Sequence, residues 1–207
     1  MNVPAGPSGA AIAAPPRRRR LLLLVFLVCA APVIASYLAY YRFPPAGRTN
    51  YGALVEPQRP LATLALRGPD GGPLDLSSWR GHWVMLQVDA AACAADCRRK
   101  LWDMRQLRLT TGKDRDRVLR AWLVTDAAPI DADLQREFEG TDIRRADAAT
   151  VAATIDSAAP AGASGSASRF IWLVDPGGNL MLRWPADGDP NRMKRDLLRL
   201  LAASSIG

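Results

Sequence analysis

Hydrophobic and polar positions divide the chain sharply. Residues 1–16 are mostly Ala, Gly and Pro with no periodicity, residues 21–41 carry no charge, and prolines crowd residues 42–60. Beyond that, short apolar runs alternate with stripes at helical spacing. Residues 61–66 predict a first strand, and residues 68–72, rich in Gly, Pro and Asp, predict a turn. The run at 83–88 has the short, continuous apolar character of a buried strand. Residues 94–109 then predict a helix, with Leu101, Met104, Leu107 and Leu109 supplying much of its apolar stripe and Gly112 a stop signal. Residues 118–124 predict a second buried strand ending at Thr125 and Asp126, and residues 131–138 a helix capped by Asp131. Strands at 170–174 and 180–184 flank Asp175-Pro176-Gly177-Gly178-Asn179, a hairpin signal. A last helix starts at Asp189 or Asn191 and turns Met193, Leu197, Leu200 and Leu201 to one face.

The order β, β, α, β, α, β, β, α predicts an α/β domain in which helices flank a mixed sheet. Cys93 and Cys97 fall between the second predicted strand and its helix, which points to a thioredoxin-like fold. The predicted organisation is a disordered cytoplasmic head at 1–20, a transmembrane anchor at 21–41, an extended spacer at 42–60 and the thioredoxin-like domain at 61–207. The Ala, Gly and Ser of 158–168 read as a mobile loop inside that domain.

The uncharged run is 21 residues long, and about 20 cross a bilayer. Arg17 to Arg20 precede it and favour a cytoplasmic N-terminus, which puts the domain on the outer face of the membrane; the expected location is the periplasmic side of a bacterial inner membrane. Tyr37, Tyr40, Tyr41 and Phe43 would form an aromatic belt. A cleaved signal peptide is the rival reading, because residues 21–29 resemble a signal core and Val33-Ile34-Ala35 offers small residues near a cleavage position. The apolar run continues past that site, which favours the anchor, and both readings export the domain. Val28 before Cys29 argues against lipidation there.

The formal net charge of +7 changes meaning once it is divided along the chain. Four of the 27 basic residues precede the anchor, leaving 23 against all 20 acidic ones. That excess of three is ordinary for a solvated surface, and no basic stretch interleaves with stacking aromatics, so nucleic acid is excluded as a partner. Of three cysteines, one lies in the apolar run, which leaves a single outer pair and no disulfide framework.

Two thiols at 93 and 97 can share a disulfide or a soft metal ion, Cu(I) being the natural guest of thiolate sulfur. Small neighbours at Ala91, Ala92, Ala94 and Ala95, a helix start, and the charges of Arg98, Arg99 and Lys100, which Asp96 partly opposes, favour a stabilised thiolate, foremost at Cys93, over an inert buried pair. Asp89 and Asp126 end adjacent predicted strands and read as solvated carboxylates, with proton or partner steering as the functional alternative. Trp79, Trp83, Trp102, Trp122, Trp172 and Trp184 read as core and sheet cover. The chain has no phosphate loop, no serine triad and no zinc-type cluster.

From about residue 61 to 204 the chain resembles the Sco/SenC proteins, membrane-anchored thioredoxin-like factors that bind copper and help assemble the copper centre of cytochrome c oxidase. The resemblance rests on Leu-Ser-Ser-Trp-Arg-Gly-His-Trp-Val-Met-Leu before the cysteines, the Cys-x-x-x-Cys pair, the strand ending at Asp126, and Phe-Ile-Trp-Leu-Val-Asp-Pro-Gly-Gly. It implies that Cys93 and Cys97 are the metal ligands or the redox pair, with copper as cofactor and the oxidase subunit carrying the copper centre as partner. It also implies a histidine ligand near position 167, where this chain has Ala167; its one histidine, His82, stands before the strand leading to the cysteines and reads as a surface residue. Met181 and Met193 are candidates for a third ligand. Turnover as an enzyme is not required. Two alternatives stand beside this reading: an exported thiol-disulfide oxidoreductase, and a scaffold that binds an oxidase subunit without metal. No proline lies in 161–169, where thioredoxin-type reductases usually place one before the strand facing the pair, and this weakens the first alternative.

Overall fold

The computed structural model describes residues 16–42, 50–68, 71–160 and 167–206. The head to residue 15, the spacer at 43–49 with Phe43, the centre of the 68–72 turn and the loop segment 161–166 lie outside the described residues. The chain divides into two units, Met1–Thr49 and Asn50–Gly207.

Among its described residues the first unit forms the helix α1 (Pro16–Arg42). Arginine is a good helix former, so the basic run joins the helix instead of belonging to the head. Its 27 residues span about 40 Å, and the helix is long and apolar enough to cross a membrane.

The second unit is built on one eight-stranded mixed sheet. Its strands are β1 (Ala53–Pro60), β2 (Leu66–Arg67), β3 (Pro73–Leu74), β4 (Trp83–Asp89), β5 (Val118–Val124), β6 (Asp142–Ala146), β7 (Phe170–Val174) and β8 (Asn179–Pro185), in the order β1-β8-β7-β4-β5-β6-β2-β3. β4, β5 and β6 run parallel, and β7 and β8 form the predicted antiparallel hairpin. The helices are α2 (Ala95–Thr110), α3 (Ala132–Glu137), α4 (Ala148–Thr154) and α5 (Pro190–Ala203).

Alternation along the central strands sends side chains to two cores. Trp83 and Met85 of β4 and Trp122 of β5 join Leu101, Met104 and Leu107 of α2 and Leu197 of α5 on one face. Val84, Leu86 and Val88 join Ala121, Leu123 and Trp172 on the other face, which Trp79, Val151 and Ile155 close. Five tryptophans are buried as read from the sequence, but Trp102 is exposed on the outer side of α2.

Several other elements depart from the sequence reading. Residues 53–60, read as spacer, form the edge strand β1 against β8, and residues 61–63 make a 3-10 turn in place of the expected strand. Prolines 57 and 60 are tolerated there because an outer strand does not need every amide for the ladder. β6 and α4 have no counterpart in the sequence reading, because Asp142, Arg144 and Arg145 make the strand look like a solvated segment. Arg144 is buried nonetheless. It bonds Asp142, Ser78 Oγ and Asp75 O and stacks 4.6 Å from the Trp79 ring centroid.

The start of the second unit is fastened by Asp196 of α5, which accepts from Tyr51 N (3.1 Å), Gly52 N (2.8 Å) and Trp184 Nε1 (3.1 Å). Glycine is required at 52, since a Cβ there would stand 2.8 Å from two atoms of the Trp184 ring. Asp196→Ala leaves three donors without their acceptor and is expected to destabilise the unit by about 3 kcal/mol. Thermal unfolding of the full chain in detergent micelles checks this, and an unchanged midpoint contradicts it.

Candidate functional site

The two cysteines lie where β4 hands over to α2, and they are bonded to each other, with Cα atoms 5.1 Å apart. β4 ends at Asp89, residues 90–93 form a turn closed by Cys93 N donating to Ala90 O (3.1 Å), and α2 begins at Ala95. Cys93 thus precedes the helix, with a φ of 39° in the left-handed region that a side chain rarely adopts. Cys97 lies in the first turn of α2. Both are buried despite the small alanines around them. Ala94, the N-cap, offers no side-chain cap, so the positive end of α2 reaches the pair without a competing carboxylate from that position.

Asp126 braces the turn from the end of β5. Its carboxylate accepts from Ala91 N at 3.2 Å through both oxygens, and Arg145 Nη1 bonds its backbone carbonyl at 2.5 Å. It therefore holds the cysteine loop from just past the end of its strand.

Lys100 does not add surface charge near the thiols, as its place beside Arg98 and Arg99 implied. It is fully buried under the first turns of α2, with Nζ 2.6 Å from Asp89 Oδ2 and 2.5 Å from Ser168 O. Burial raises the Asp89 pKa and lowers that of Lys100, and in each case the pairing opposes the shift. Asp89, Cys97, Arg99 and Ser168 border a cavity of about 390 Å³ beside the disulfide.

Gln87 is the site residue that sequence reasoning missed. It lies on β4 in the stripe of Trp83 and Met85, is fully buried, and donates from Nε2 to Cys97 Sγ at 3.3 Å. Its Oε1 is buried with no partner. The signal was a lone amide inside an apolar strand, aimed at the helix that carries the second cysteine.

Of the other candidate ligands, His82 is the one the fold carries away from the sulfurs. His82 precedes β4 at the opposite end of that strand, about 20 Å from the cysteine end, and its Nδ1 lies 3.3 Å from Arg80 O. Ala167 is buried, its amide held by Asp156 Oδ1 at 2.5 Å. Met193 lies in the core and Met181 packs against it. Among the described residues no group of three His, Cys, Asp or Glu could hold a metal ion.

A mixed sheet with a cysteine pair between a central strand and the next helix defines a thioredoxin-like protein. The chain belongs to the family described as transmembrane-like, thioredoxin-like, C-terminal domain, which it matches over residues 83–204, from the first residue of β4 to just past α5. None of the curated proteins matches it by sequence. Its fold is similar to that of a SCO1/SenC family lipoprotein from Bacillus anthracis, 12% identical with a TM-score of 0.52, covering 71% of this chain and 99% of that one. Apo Sco1 from Thermus thermophilus is 20% identical with a TM-score of 0.51, covering 76% and 98%. Arabidopsis thaliana ScoI, solved with copper bound, is 13% identical with a TM-score of 0.51, covering 74% and 99%. The resemblance to Sco/SenC proteins therefore holds for the fold.

Lys100→Met is expected to cost about 3 kcal/mol at pH 7, because it leaves the Asp89 carboxylate buried without its cation. The Asp89 pKa is raised, so the penalty on its charged form is present above that pKa and disappears as pH falls and the group protonates. The gap between wild type and variant should narrow from pH 7 towards pH 4 in urea unfolding; a gap constant across that range contradicts this account.

Proposed function

We propose that this chain is a membrane-anchored, Sco-like factor that assists copper-centre assembly of cytochrome c oxidase by thiol-disulfide exchange through Cys93 and Cys97. The observation that carries this reading is the bonded pair itself, set on a turn at the start of α2. A disulfide spanning four positions closes so short a loop that its chain-entropy contribution is about 2 kcal/mol, near the low end for such bonds. Stability alone is a weak reason for it.

In this reading a reducing partner opens the pair, and one freed thiolate attacks a disulfide in the oxidase subunit's copper site. The second thiol resolves the mixed disulfide and leaves the acceptor's cysteines reduced, with direction set by relative potentials. Asp126 holds the attacking loop and the α2 dipole favours the thiolate. α1 anchors the domain on the outer face of the membrane, where disulfides persist.

A second reading, Cu(I) carried as cargo between the two thiolates, draws support from the softness of the sulfur pair and from a fold shared with a protein solved with copper bound. Ala167 favours exchange over carriage, because it supplies no third ligand where the Sco resemblance implies histidine.

The test is anaerobic equilibration of the full chain, carrying Cys29→Ser, in micelles with dithiothreitol buffers, followed by titration of the reduced protein with Cu(I) against a competing chelator. Exchange predicts a reversible two-electron couple that Cys93→Ser or Cys97→Ser abolishes, with the fold retained. Tight stoichiometric Cu(I) binding lost in those variants supports carriage. A pair that cannot be reduced without unfolding contradicts both.

A further inference from the structure

The side chain behind the disulfide is more unusual than the disulfide. Gln87 is fully buried, and its amide makes one hydrogen bond, from Nε2 to Cys97 Sγ at 3.3 Å, while Oε1 has no partner. A disulfide sulfur has no hydrogen and is a weak acceptor, so the oxidised state leaves the acceptor unmet and the donor poorly met.

Reduction changes what the sulfur offers. The Cys93–Cys97 bond takes up two electrons and two protons from a dithiol, whose own sulfurs become a disulfide. Cys97 Sγ then carries either a hydrogen, which can be donated to Oε1, or a negative charge, which accepts strongly from Nε2. In both protonation states the reduced pair bonds Gln87 better than the disulfide does. Being neutral, the amide serves both forms without titrating.

We infer that Gln87 sets the redox poise of the Cys93–Cys97 pair, stabilising its reduced state and making the disulfide a better electron acceptor. The inference rests on the thiol-exchange reading and names the residue that tunes it. Gln87 acts on the sulfur as a positioning residue, held by the strand pairing of β4 with β5 on one side and β7 on the other.

Gln87→Leu and Gln87→Met keep the bulk and remove both polar atoms. One net hydrogen bond corresponds to about a fivefold change in an equilibrium constant. The variants should therefore be about fivefold harder to reduce, a midpoint about 20 mV more negative for a two-electron couple. The measurement is equilibration of the full-length Cys29→Ser protein with dithiothreitol, with melting temperatures recorded in both redox states. Gln87→Glu, whose buried carboxyl stays protonated at pH 5 and retains a donor and an acceptor, should return the midpoint at that pH towards wild type. A merely structural role lowers both melting temperatures together and leaves the midpoint in place. Midpoints in the Leu and Met variants equal to or above wild type overturn the inference while leaving thiol exchange standing. A wild-type pair that never equilibrates overturns both.

Discussion

The parallel pairing of β4 with β5 is the constraint on which the site depends. Seven residues of one strand register against seven of the other, from Trp83 with Val118 to Asp89 with Val124. Parallel neighbours need a crossover, so the chain must leave the end of β4, pass over one face of the sheet and return. α2 is that crossover, and the turn leading into it is where the cysteines fall. Asp126, just past the end of β5, is thereby set beside the same turn and holds Ala91 N.

Burial on both faces supplies the rigidity. β4 sends Trp83 and Met85 to one core and Val84, Leu86 and Val88 to the other, so the strand has no solvated face on which to shift. Against that background the polar groups of the first face are informative. Lys100 and Asp89 neutralise each other, whereas Gln87 meets a sulfur and leaves an oxygen unmet. The site thus combines a stiff scaffold with one polar group that the disulfide satisfies incompletely.

Strong periodicity makes most of the sheet legible in the amino-acid sequence: the runs at 83–88, 118–124 and 170–174, the hairpin and the last helix all lie where the apolar pattern puts them. The cysteine pair is legible for the same reason, standing at a strand-to-helix boundary. What escapes is charge placed inside. Arg144 and Arg145 hide β6, since a strand carrying arginines reads as solvated until Asp142, Ser78 and Trp79 are known to meet Arg144. Lys100 looks like surface charge beside two arginines because its partner Asp89 lies on a different element. β1 is hidden by prolines that only an edge strand tolerates. In each case the deciding partner lies on another element, which no local pattern records.

The central claim is that the Cys93–Cys97 bond opens and closes on a sheet that does not need it. Amide hydrogen exchange of the full chain, oxidised and reduced, tests this most directly. The expected result is unchanged protection in β4, β5, β7 and β8, with faster exchange on reduction confined to residues 90–100. Loss of protection throughout the sheet on reduction would contradict the claim and make the bond a structural staple.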